Sequence, residues 1–169
     1  LTALLLERNT FNDPNKPEDG LQGFGIALSV AGIGVFLGAI LAPYGVAKFG
    51  RHRWIKFAMF ASAAAPLILA TSQTEIALSI TAFLASFFGQ NIKVTNDALV
   101  QSKIDDYYRG RVFAVYDVVV NGAIVSGGLI AALLLPTSGL TPNVPLVVSA
   151  AYFLVAVVVL HSAKFKAIY

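Results

Sequence analysis

From Leu21 to Ala47 the chain carries no Lys, Arg, Asp or Glu, and an uncharged run of that length constrains the fold more than any other feature. In a helix rising about 1.5 Å per residue, about 20 residues cross a hydrocarbon core of about 30 Å. Further apolar runs follow at Phe57 to Thr74, from Ile76 towards Asn96, and from Val118 to Ala163. The last is too long for one helix, and Pro136, Gly139, Pro142 and Pro145 divide it. Membrane spans are therefore expected at about 21–47, 57–74, 76–98, 112–135 and 144–163, which makes the fold class all-α, a polytopic membrane helical bundle. Composition agrees, with 57% hydrophobic and 12% charged residues and a mean hydropathy of +0.74. Such values exclude an ordinary soluble domain, a disordered chain and a disulfide scaffold.

Charge placement then predicts orientation. Lys48, Arg51, Arg53 and Lys56 fall between the first two spans, Lys103, Arg109 and Arg111 between the third and fourth, and Lys164 and Lys166 after the last. Only Arg8 and Lys16 lie on the alternate side, which instead carries Glu7, Asp13, Glu18, Asp19 and Glu75. Lys and Arg near span ends are retained on the cytoplasmic side. The expectation is a multi-pass protein of the cell inner membrane or plasma membrane, with its carboxyl terminus cytoplasmic and residues 7–20 external. The net charge of +3 thus records topology, and no nucleic acid is expected as a partner.

The polar stretch Glu7 to Gly20 holds Asn12, Asp13, Pro14, Asn15 and Pro17, which predicts an aqueous loop. Before it, Leu1 to Leu6 is too short to span and is expected to be the end of a truncated helix, so that the chain is a fragment of a longer protein.

Within the first span Ala27, Ala31, Gly34, Gly38, Ala42 and Gly45 recur every three or four residues, forming one stripe of small side chains. In lipid, helices associate through close backbone approach, so Gly34 and Gly38 are expected to form a packing seam in preference to a sliding interface, with Ser126, Gly127 and Gly128 serving the same end in the fourth span.

Polar residues inside the spans are costly and avoid lipid. Gln90, Lys93, Asp97 and Gln101 share one face of the third span, and Asp117 and Asn121 share one face of the fourth. Lys93 and Asp97 can pair as a clamp. Asp117 has no opposite charge within a turn of its own helix and needs a partner from elsewhere, with Lys93 the nearest candidate by depth, or must titrate. Lys93, Asp97 and Asp117 are therefore candidates for gating or proton coupling, and the deeper Gln90, Asn91 and Asn121 for contact with a small-molecule substrate near the midplane.

Catalysis has little to draw on. The absence of Cys removes thiol chemistry and thiolate metal sites, His52 and His161 sit far apart beside basic residues, and Gly23-x-Gly25 opens a membrane helix without a preceding strand. No enzyme activity, cofactor or metal is expected. A channel or a structural membrane subunit without carrier activity is the alternative to a transporter.

The run Asp105-Asp106-Tyr107-Tyr108-Arg109-Gly110-Arg111-Val112-Phe113-Ala114, continued by Tyr116, Asp117 and Asn121, resembles the cytoplasmic loop entering helix eleven of the major facilitator superfamily, in particular its bacterial drug-efflux-type members. Lys48-Phe49-Gly50-Arg51-His52-Arg53 resembles the second copy of that family's basic loop motif, with Ala47 where the fuller motif is acidic. The resemblance implies a fragment comprising the end of helix 7 plus helices 8 to 12, the carboxyl-terminal half of a twelve-helix secondary transporter. It further implies export of a small amphipathic molecule by proton antiport and alternating access, with the missing amino-terminal half as obligatory partner.

Overall fold

The computed structural model describes residues 2–11, 15 and 17–161. A short helix α1 (Thr2–Leu6) runs into a π-helical turn (Glu7–Phe11), followed by α2 (Pro17–Phe49), α3 (Arg51–Thr71), α4 (Glu75–Lys103), α5 (Asp106–Leu134) and α6 (Asn143–His161). Five of these helices are long and apolar enough to cross a membrane.

The helices extend beyond the uncharged runs into the basic segments. The expected loop from Lys48 to Lys56 contracts to Gly50, whose φ of 79° lies in the left-handed region open to glycine. Between α4 and α5 only Ile104 and Asp105 are non-helical. Charged residues tolerate a helical first or last turn, where their heads reach water, so charge alone overstates loop length. Thr74 accepts a hydrogen bond from the Ala77 N–H at 3.2 Å and starts α4, a side-chain cap of the usual kind.

The expected aqueous loop at residues 7–20 needs correction at both ends. Glu7 is only 4% exposed, and its carboxylate occupies the space that a Cβ on Gly23 would fill. Gly20 likewise lies against the Arg8 backbone. Two glycines in the first turns of α2 thus make room for the π-helical turn to pack on that helix, which composition could not reveal.

Packing between α2 and α4 is the most extensive in the chain, followed by α3 with α6 and with α4. The α2 stripe explains the first. A Cβ on Gly34 would lie 2.6 Å from the Phe83 carbonyl oxygen, and one on Gly38 would lie 2.5 Å from that of Phe87. Only glycine permits this approach. Ala27, Ala42 and Gly45 on the same stripe are also buried. The expectation for Gly127 and Gly128 is not met, because a Cβ on either would meet nothing within 4 Å and Ser126 is exposed. Small residues permit close approach but do not supply a partner.

α3 continues through Pro66. Beside it, the Ser149 hydroxyl of α6 donates to the Ala63 carbonyl at 2.5 Å, and the Thr81 hydroxyl of α4 donates to the Ala65 carbonyl at 3.3 Å. Such hydroxyl contacts join helices where no water is available to the backbone. The segment Leu135–Pro142 is tied to the chain's opening: Asn9 donates to the Thr137 carbonyl, Thr10 donates to the Ser138 carbonyl at 2.7 Å, and Gly139, at φ 74°, packs on Leu5 and Leu6.

Candidate functional site

Ionisable side chains converge where the second half of α4 faces the first half of α5. Lys93 Nζ and Asp97 Oδ2 lie 2.6 Å apart, their side chains 48% and 22% exposed. The i,i+4 spacing places both on one face of α4 and permits a direct ion pair. The other carboxylate oxygen, Oδ1, is buried without a hydrogen-bond partner. Tyr116 and Asp117 of α5 both interact electrostatically with Lys93, and Tyr116 also with Asp97. The structure therefore makes Asp97 the direct partner of Lys93, with Asp117 as a second anion within electrostatic reach.

One ammonium pairs with one carboxylate and lies within electrostatic reach of a second carboxylate and a phenol. Neither the Asp97 nor the Asp117 side chain is sealed in the bundle, so the cluster remains open on one side.

The amide candidates separate. Gln90 is half-buried beside Gly38, and Asn121 is exposed, its amide donating to the Asp117 carbonyl at 2.8 Å. Asn91 requires correction as a substrate contact: it is 0% exposed. Its Nδ2 donates to the Phe87 carbonyl at 2.8 Å, and its Oδ1 accepts from the Trp54 indole N–H at 3.2 Å. One residue of offset from Gln90 turns a helix by about 100°, which carries Asn91 from the polar stripe into the packing among α2, α3 and α4.

The basic residues also divide. Arg109 pairs with Asp106 at 2.5 Å and reaches the carbonyls of Gln101 and Ile104 at 3.3 and 3.5 Å. It closes the α4–α5 turn by meeting carbonyls at the end of α4. Arg111 lies over the Tyr107 ring, and Lys48 over the Phe49 ring. Arg51 and Arg53 lie in the first turn of α3. The basic tail after Ala163 lies outside the described residues.

Two residues make contacts that the sequence does not assign to them. Tyr116 and Trp54 are aromatic residues near the ends of spans, where interfacial anchoring is the ordinary role. The position of Tyr116 beside Asp117, one turn after Val112, was the available signal. Away from the cluster, a cavity of about 590 Å³ lies between α5 and α6, bordered by Ile130, Leu134, Val144, Val147 and Tyr152. It includes none of the expected site residues. Among the described residues no group of three or more His, Cys, Asp or Glu side chains could hold a metal ion.

Comparison with known proteins bears on this geometry. Residues 14–168 match the family described as "Transmembrane secretion effector". The chain is 32% identical over 133 residues to an uncharacterized MFS-type transporter of Mycobacterium bovis, and equally to one of Mycobacterium tuberculosis. Each match covers 77% of this chain and 30% of the relative. The chain thus spans less than a third of the length of these curated relatives. No solved structure matches it significantly.

Proposed function

The chain belongs to the major facilitator superfamily, and from that membership we propose that it forms the carboxyl-terminal half of a secondary active transporter, contributing the end of helix seven and helices eight to twelve. The transporter exports a small amphipathic molecule by proton-coupled alternating access in the cell membrane, with the basic turns cytoplasmic. Outward direction accords with the word "secretion" in the matching family's description.

The observation that carries the reading is the meeting of Lys93, Asp97, Tyr116 and Asp117 across α4 and α5. Charges inside membrane helices are expensive and mark ion or substrate pathways. In the cycle, Lys93 holds Asp97 in one state and turns to Asp117 in the other. Protonation of the freed carboxylate removes the charge that would otherwise oppose the change. Gln90, about one turn before Lys93, and Asn121, about one turn after Asp117, face the substrate.

The test is transport by the complete gene product in proteoliposomes, with and without an imposed pH gradient. Gradient-driven accumulation of an amphipathic cation or dye is expected, and Asp117→Asn is expected to abolish the dependence on the gradient while leaving downhill exchange. Flux that is insensitive to the gradient and fails to saturate with substrate identifies a channel instead.

A further inference from the structure

The turn between α2 and α3 has chemistry that topology alone does not explain. No acidic residue occurs between Gly20 and Glu75. Among the described residues none of Lys48, Arg51, Arg53 or Lys56 makes an ion pair. No carboxylate among the described residues neutralises the positive charge at this turn.

Beside these cations lies an ordered aromatic wall. Lys48 Nζ sits 5.4 Å from the centre of the Phe49 ring. Phe49 stacks parallel to Trp54 at 5.8 Å and 5°, and Trp54 leans on Phe57 at 5.8 Å. Trp54 is fixed on two sides. Its indole N–H donates to the buried Asn91, and its ring lies where a Cβ on Gly45 would be, with ring carbons 2.2 to 2.5 Å from that position. A cavity of about 290 Å³ opens among Phe49, Arg53, Trp54 and Phe57, and Arg53 is its one charged wall. Phe49 and Phe57 remain 50% and 55% exposed.

An apolar wall held rigid beneath unpaired cations, at the point where two spans leave the hydrocarbon, is complementary to one kind of molecule: a negative head joined to an aliphatic tail. We propose that the α2–α3 turn is a binding site for one anionic phospholipid, its phosphate against Arg53 and Lys48 and the start of its acyl chains against Phe49, Trp54 and Phe57. Surface attraction alone would spread over every basic turn. The fixed aromatic wall distinguishes this one, because it supplies dispersion contacts beneath the charges.

Trp54 gives the assay its reporter. The complete protein is placed in phosphatidylcholine vesicles doped with brominated-chain phosphatidylglycerol or, in parallel, brominated-chain phosphatidylcholine. The Trp54 signal is taken as the difference from Trp54→Phe. Phosphatidylglycerol is expected to quench at a several-fold lower mole fraction than phosphatidylcholine. Lys48→Gln with Arg53→Gln is expected to erase that preference, whereas Arg109→Gln with Arg111→Gln leaves it. Retention of bound lipid by the purified protein in native mass spectrometry checks the same ranking without fluorescence. Equal quenching by both lipids, equal loss from the two double variants, or displacement of the brominated lipid by millimolar inorganic phosphate overturns the proposal. The last outcome would assign the turn to a soluble anion.

Discussion

α2 and α5 are both long apolar helices carrying paired small residues, yet one is clasped and the other stands open. Along α2, Gly34 and Gly38 lie so close to the Phe83 and Phe87 carbonyls that no Cβ fits. Along α5, Gly122, Gly127 and Gly128 have no non-local atom within 4 Å of where a Cβ would stand, and none of its residues is buried. The contrast separates two meanings of glycine in a membrane helix. At Gly38 it is a steric requirement set by a neighbouring backbone. At Gly128 no neighbour within the described chain imposes one.

Substitutions can break this comparison, the largest effect coming first. Gly38→Ala is expected to destabilise the protein by about 1–3 kcal/mol through overpacking, while Gly128→Ala is expected to leave stability unchanged or raise it by up to about 1 kcal/mol, alanine being the better helix former. Thermal unfolding of both variants in the same detergent measures the gap, and similar shifts would erase the distinction. Next comes Asn91→Ala, which leaves the Trp54 N–H without its acceptor. Its expected cost is about 0.6–1.7 kcal/mol, the range for interhelical hydrogen bonds in membranes, with a change in Trp54 emission as the second readout. Lys93→Met leaves the Asp97 carboxylate without its cation, and transport of the complete protein is expected to fall sharply while the protein still folds. A large loss of folding with intact transport would make the pair a clamp only. Smallest is Asn121→Ala: its amide merely returns to the Asp117 carbonyl on an exposed face, so unfolding should move by less than about 0.5 kcal/mol and any effect should appear in substrate affinity.

What the amino-acid order discloses, and what it conceals, follows from range. Apolar length fixes how a helix meets lipid, so the long helices could be anticipated one segment at a time. The α2 stripe could also be read, since its period belongs to one helix, but the identity of α4 as its partner could not. Gln90 and Asn91 show the same limit at single-residue scale. Both are amides on one turn, and only the positions of α2 and α3 decide which is sealed. Glu7 looked like part of a watery loop because its neighbours in sequence are polar, whereas its neighbours in space are Gly20 and Gly23. The pairing of Lys93 with Asp97 was visible as an i,i+4 relation. The approach of Tyr116 depends on where α5 comes to rest.

Gly50 has a mechanical consequence. A link of one residue spans only about 3.5 Å even when fully extended, so the facing ends of α2 and α3 have almost no slack between them. Tilting either helix must drag the end of the other, and since α2 also grips α4, three helices are geared together through a single backbone joint. Lengthening that joint with inserted glycines would uncouple the gears while leaving each helix intact.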